Sequence, residues 1–207
     1  ARFAKTCPVS ILHAQPGSIS AWAAICVARR YCLPCVVTYQ GSEVHTLLAH
    51  HHKGWQLCRD SFRLADLNLP VSRALEGILR LHAQPSGRCE VLLRGVDQTR
   101  FFPSSQLSAE PRVLFVGDIM QEKGVFDLLL AWAQVKRACP NASLTIVGLD
   151  HTQGLFSRTM RSLGVDSSVT LTGPLPHPAV ANLMRQFRLL CLPSHGEGTP
   201  NCVMEAL

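Results

Sequence analysis

At 207 residues, with 47% apolar and 16% charged side chains, the chain can bury a sizeable core and lies far from the composition of a disordered segment. Its net charge of +6 is unevenly placed: residues 1–104 carry 12 Lys and Arg against 6 Asp and Glu, whereas residues 105–207 carry 8 against 8. No apolar run reaches the roughly 18 residues of a membrane-spanning helix, and no basic-then-apolar leader stands at Ala1, so the chain reads as soluble and as lacking segments at both ends. A basic half can meet nucleic acid, anionic lipid or an anionic substrate; without a nucleic-acid motif or an aromatic-interleaved basic run, nucleic acid is the least supported of the three.

Short apolar or β-branched runs alternate with helical periods, the pattern of parallel sheets with crossover helices. Val9 to His13 reads as a strand. Ser18 then caps a helix whose Ile19, Trp22, Ala23 and Cys26 share one face. The strand Cys35 to Tyr39 follows, then a helical stretch over about residues 46–62. LNLP (67–70) and EVLL (90–93) read as two further strands, separated by a helix opening at Ser72. Residues 102–111 have the Pro- and Ser-rich composition of a linker, which places a domain boundary near residue 105 and divides the chain into residues 1–104 and 105–207.

The second half repeats the theme. RVLFVG is a buried strand, and after it Val125, Leu128, Leu129, Trp132 and Val135 form a helical stripe opposite Asp127, Gln134, Lys136 and Arg137. The strand SLTIVG, a helix near residues 155–163, the strand VTLTG, a helix over 178–187 and the strand LLCLP complete the order. Ligands of open parallel sheets sit beyond the carboxyl ends of the strands, so the loops after VLFVG, TIVG, TLTG and LCLP are the candidates.

The nine cysteines are scattered through strand-like and helix-like segments, as reduced, buried thiols are. Cys32 and Cys35 form a lone C-x-x-C that runs into the apolar CVVTY. It reads as core cysteines at a strand entrance, with a redox pair or half a zinc site as the alternative. His50 to His52 read as a solvated run, not as a metal site.

After LCLP the chain reads SHGEGTPNCVMEAL. Thr199 before Pro200 reads as an N-cap followed by the first helical residue. The amides of Asn201 and Cys202, aided by the helix dipole, would then form an anion site, with Gly198 allowing close approach. Glu197 lies just outside that helix and Glu205 about 9 Å along it at 1.5 Å per residue. Two carboxylates flanking an anion site suit a phosphorylated sugar, whose hydroxyls they accept from. On physics alone, a surface loop and an amphipathic helix with a solvated Glu205 stays open as the other reading.

Glu197, seven residues and Glu205, inside PSHGEGTPNCVMEAL, closely resembles the signature of the family 4 glycosyltransferases of the GT-B fold, particularly bacterial cell-surface polysaccharide members. ILHAQPGSISAWAA, VVTYQGSEV, ADLNLPVS, LLRGVDQTRFFP and FVGDIMQEKGVFDLLLAW resemble further family segments in the same order. The resemblance implies an α/β fold of two Rossmann-like domains with parallel sheets, both incomplete here. The second would hold a nucleoside diphosphate sugar and the first a glycan or lipid-linked acceptor, near Gln40 and Gly41, with retention of anomeric configuration as in a hexosyltransferase. Glu197 would contact the donor sugar, Glu205 the ribose hydroxyls, and Lys123 the departing diphosphate. Gly117 would belong to the phosphate-gripping loop, and the backbone from Gly173 to Leu175 would contact the base. No D-x-D is present, so no metal cofactor is expected. The implied setting is cytoplasmic, with the basic half beside anionic membrane.

The sequence departs from the family pattern at four places. Asp118 stands where arginine usually follows the glycine of VLFVG, Gln40 replaces a histidine, Glu43 an aspartate, and Arg94 the asparagine before GVD. Three alternatives follow for Asp118: another basic residue substitutes, the carboxylate points away, or activity is weak. The rival to an enzyme is therefore a sugar-nucleotide-binding module with weakened catalysis. A nucleotide-binding regulatory domain lacks its G-x-G-x-x-G or Walker loop. Without an opening strand, its glycine-rich loop and the last part of the second domain, residues 1–207 alone are expected not to transfer sugar.

Overall fold

The computed structural model describes residues 9–41, 43–45, 53–104 and 110–207 and falls into two compact units. The first comprises Ala1–Arg94 with Gly196–Thr199, the second Gly95–His195 with Pro200–Leu207. The boundary expected near residue 105, the start of the helix expected from Thr46, Cys7 and His50–His52 lie outside the described residues.

The first unit carries β1 (Leu12–Ala14), β2 (Cys35–Tyr39), β3 (Leu67–Pro70) and β4 (Arg88–Cys89), all parallel and in the order β1-β2-β3-β4. α1 (Ile19–Tyr31), α2 (Lys53–Leu64) and α3 (Arg73–His82) connect them. Every residue of β2 is buried, which is why CVVTY reads as one apolar run without alternation. Its Tyr39 packs edge-on against Phe62 at 5.7 Å and donates its hydroxyl to Asn68 Oδ1 at 3.0 Å. Asn68 Nδ2 in turn donates to the Phe62 carbonyl at 3.0 Å, so these buried polar groups are paired. The Ser72 hydroxyl caps α3 as expected, accepting from Leu75 N at 3.2 Å.

Three expectations for this unit change. α1 buries Ala21, Ile25 and Ala28, not the face of Ile19, Trp22, Ala23 and Cys26; Ile19 is 65% exposed. ISAWAAICVA is apolar almost all round, so its periodicity marks no outside, and small alanines bring the helix close to the sheet. The edge strand is Arg88–Cys89, and EVLL only trails along β3 through Glu90 N to Asn68 O at 2.9 Å and Leu92 N to Pro70 O at 3.0 Å. The cysteines are not uniformly internal. Among the described ones, all free thiols, Cys35 and Cys58 are buried, whereas Cys26, Cys32 and Cys139 are exposed. Cys32 terminates α1 in a left-handed conformation with φ 53°, outside the core that takes Cys35. Burial, reinforced by the Glu43 charge, pushes the Cys58 thiol up to about 12.

The second unit carries β5 (Arg112–Val116), β6 (Ser143–Val147), β7 (Val169–Gly173) and β8 (Leu189–Leu190), again parallel. α4 (Val125–Ala138), α5 (Leu155–Ser162), α6 (His177–Met184) and α7 (Asn201–Ala206) accompany them. Side chains alternate across β5. Val113 and Phe115 join a core with Leu129, Trp132, Ile146 and Phe156, while Leu114 and Val116 join another with Phe101, Val180, Ala181 and Met184. The sheet is thus covered on both faces. The stripe expected on α4 is buried at Val125, Leu128, Leu129 and Trp132, but Val135, in its last turn, is 38% exposed. LLCLP supplies only a two-residue strand, prolonged by Cys191 N donating to Leu114 O at 2.8 Å.

Candidate functional site

The second sheet has the order β7-β6-β5-β8. The chain therefore grows outward from β5 through β6 to β7, then returns to the other side of β5. Such a reversal leaves a crevice at the carboxyl ends of the two strands beside it, here β5 and β8. The loop after β5 leads through Gly117 to a 3-10 turn, Gln121–Lys123, and to Gly124 at the head of α4. The segment after β8 closes onto that turn. His195 N donates to the Glu122 carbonyl at 2.9 Å, the Ser194 hydroxyl to the same carbonyl at 3.1 Å, and His195 Nε2 lies 2.8 Å from Asp127 Oδ2. Gly124 has φ 66°, and a Cβ on it would stand 1.9 Å from the Pro193 carbonyl oxygen. The backbone of Lys123, the last residue of that 3-10 turn, is thus fixed by the turn and by the glycine that follows it.

Asp118 is exposed, and its carboxylate is turned to the loop after β6. Oδ1 accepts from Leu149 N at 3.3 Å and Oδ2 lies 3.4 Å from His151 Nε2. Backbone bonds from Ile119 N to Leu149 O at 2.8 Å and from His151 N to Ile119 O at 3.1 Å tie the same loops together. The carboxylate that replaces the expected arginine therefore has a local structural role.

Gly173 ends β7, and Leu175 packs into the smaller core of this unit with Cys202. α7 begins at Asn201, with Pro200 as its cap residue and no side-chain cap. This corrects the expected start: Pro200 keeps an extended ψ of 118°, and the Thr199 hydroxyl donates to the Val71 carbonyl at 2.9 Å. Asn201 and Cys202 remain the first two helical residues. Glu205 is not a solvated helix residue. Its side chain is 14% exposed, and Oε1 lies 2.9 Å from Nε2 of His177, the first residue of α6. Phe101 packs edge-on to that imidazole at 5.1 Å. Glu205 also borders a cavity of about 560 Å³ with Phe101, Met184 and Met204, but Gly117, Lys123 and Gly173 do not line it. The crevice and the cavity are separate features of this unit.

Glu197, Gly198 and Thr199 group with the first unit, together with Gln40 and Gly41. Gly198 presses on the loop after β2, where a Cβ on it would stand 1.9 Å from the Gln40 carbonyl oxygen. The Glu43 carboxylate holds that loop by accepting from Gln40 N at 2.7 Å and Gly41 N at 3.1 Å. Arg94 Nη2 donates to Gln40 Oε1 at 2.8 Å. Two of the four departures from the family pattern are therefore bonded to each other, across 54 positions of sequence. Sequence reasoning singled out both residues without pairing them, passed over His177 and His195, and placed Asp127 only on the polar face of α4. His177 had one signal, its place two residues after Leu175.

Among the described residues, no group of three or more His, Cys, Asp or Glu could hold a metal ion, and no helix is long and apolar enough to cross a membrane. Residues 110–207 match the family model described as Glycosyl transferases group 1. The chain is 26% identical to glycogen synthase of Mycobacterium tuberculosis, over 95% of this chain and 49% of that protein. It is 29% identical to TuaC of Bacillus subtilis, a protein named for teichuronic acid biosynthesis, over 95% of this chain and 50% of that protein. The chain spans about half the length of these curated relatives. The solved structure of Anabaena HepE in complex with UDP superimposes with a TM-score of 0.79, at 15% identity, over 99% of this chain and 59% of that one. HepE has also been solved in complex with UDP-glucose. At that identity the likeness is one of fold, and it establishes the expected GT-B class of two Rossmann-like units.

Proposed function

We propose, from the match of residues 110–207 to the family model described as Glycosyl transferases group 1, that the protein carrying this chain transfers a sugar from a nucleoside diphosphate sugar to a glycan or lipid-linked acceptor, with retention. The observation that carries the reading is Lys123, fixed at the β5–β8 reversal by Gly124 and the Ser194–His195 strap. A lysine ammonium turned into that crevice opposes the charge that builds on a departing diphosphate.

The remaining roles follow the same chemistry. Gly117, Gly198, Asn201 and Cys202 offer backbone to the phosphates, and Gly173 and Leu175 offer backbone to the base. Glu205 accepts from the ribose hydroxyls; a carboxylate has about four acceptor positions, so it can keep His177 while doing so. Glu197 contacts the transferred sugar, and Gln40 and Gly41 serve the acceptor. No metal is required, because Lys123 and backbone amides supply the positive field. UDP and UDP-glucose bound to HepE make UDP-sugars the first donors to test. The setting is cytoplasmic, with the basic first half at an anionic membrane surface.

Asp118 favours a second reading, a binding module with weakened catalysis. A thermal-shift screen of nucleotide sugars on the full-length protein, followed by donor turnover, separates the two. Turnover abolished in Glu197→Ala identifies an enzyme; tight donor binding without turnover identifies the module.

A further inference from the structure

The strap after β8 touches both sequence neighbours of Lys123. Ahead of the lysine, the Glu122 carbonyl accepts from His195 N at 2.9 Å and from the Ser194 hydroxyl at 3.1 Å. Behind it, a Cβ on Gly124 would stand 1.9 Å from the Pro193 carbonyl oxygen, so the strap lies close against that glycine. The sheet gives this strap a short anchorage. β8 is two residues long, its ladder is prolonged by Cys191 N donating to Leu114 O at 2.8 Å, and Pro193 then has no amide hydrogen with which to continue it. A side-chain bond secures the far end: His195 Nε2 lies 2.8 Å from Oδ2 of Asp127, in the first turn of α4. An ionised carboxylate only accepts, so Nε2 carries the proton, and the imidazole keeps this bond in its neutral as well as its charged form. The two side chains are 55% and 60% exposed, so the pair adds little to global stability. Its placement matters more, because Gly124 heads the same helix and a strap clipped to Asp127 is clipped to the element that carries the lysine turn.

We propose that His195 and Asp127 are positioning residues for the transfer step: their bond latches the strap, and the strap holds the backbone of Lys123 at the β5–β8 reversal. The pair acts through the lysine and touches no reacting atom. The proposal rests on the glycosyl-transfer reading, and it adds two residues to the machinery of that site.

The test measures kcat and KM of the full-length protein with the nucleotide sugar that the thermal-shift screen selects. It also follows hydrogen exchange at the amides of Lys123 and Gly124, which donate to the Met120 and Gln121 carbonyls. His195→Ala should lower kcat by about twofold to fivefold, the range of one exposed pair read as a rate. KM and the melting temperature should stay close to native, and exchange at both amides should quicken. His195→Gln, whose amide offers a neutral donor, should restore kcat. Asp127→Ala should match His195→Ala, and the two together should lose no more than either alone. In Lys123→Ala, adding His195→Ala should cost nothing further. Native kcat in His195→Ala overturns the proposal, and so does a loss that persists undiminished in Lys123→Ala. Absence of turnover in the native protein removes the glycosyl-transfer reading, and exchange then judges the latch alone: quickened exchange in His195→Ala keeps it, and native exchange overturns it.

Discussion

Replacing Gly124 by alanine probes the packing that fixes Lys123. The residue sits at φ 66°, and the added Cβ would stand 1.9 Å from the Pro193 carbonyl oxygen, where real Cβ contacts stay beyond 3.0 Å. The left-handed backbone costs an alanine about 1–2 kcal/mol. Opening the gap by about an ångström in a close-packed region adds about 1–3 kcal/mol more. Gly164 is the control, because it shares φ 66° but a methyl group added there would meet nothing within 4 Å. Gly164→Ala therefore carries the backbone cost alone. Urea unfolding of the two variants should separate them by about 1–3 kcal/mol, with Gly124→Ala the weaker and with nucleotide binding lost only there. If the two variants agree to within about 0.5 kcal/mol, the contact between Gly124 and Pro193 does not hold the lysine loop.

The pairing of His177 with Glu205 predicts that His177→Ala weakens UDP binding by about threefold to tenfold, the scale of a partly exposed pair. His177→Gln should recover most of it by donating to the same oxygen, and calorimetry of both variants checks this; equal losses would remove His177 as a positioning residue. Burial holds the Cys58 thiol at about 12 against an ordinary value of 9.0, and the Cys89 thiol at about 11. Between those values the unfolded chain releases protons that the folded one keeps, so stability is full below pH 9.0 and falls as pH rises towards 12. Melting temperatures measured from neutral to alkaline pH should fall above that point, and less steeply in Cys58→Ala; a flat profile in the native protein contradicts the linkage.

Parallel strands were the most legible part of the sequence. CVVTY, LNLP and VTLTG became β2, β3 and β7 at the expected limits, because short apolar or β-branched runs bounded by turn residues mark strands both where every residue is buried, as in β2, and where burial alternates, as in β3 and β7. Ser72 was legible for a local reason, since a cap bonds to an amide three residues on. The facing of α1 was not, because an almost wholly apolar helix carries no polar marker. Nor was the role of Thr199, whose hydroxyl chose a carbonyl 128 positions away over its own helix. The candidate site divides in the same way. Glu205 stood out by residue type and spacing and Lys123 only through the family resemblance, but the groups that orient Glu205 and Gln40 are 28 and 54 positions distant, and hydrogen bonds over such separations leave no period in a sequence.

The central claim is that Lys123 stabilises a departing diphosphate, and donor turnover by the full-length protein tests it most directly. Initial rates with UDP-glucose, or with whichever nucleotide sugar binds, should fall in Lys123→Ala by about a hundredfold to a thousandfold, the loss typical when one stabiliser of developing charge is removed. Native-like turnover in Lys123→Ala would contradict the account.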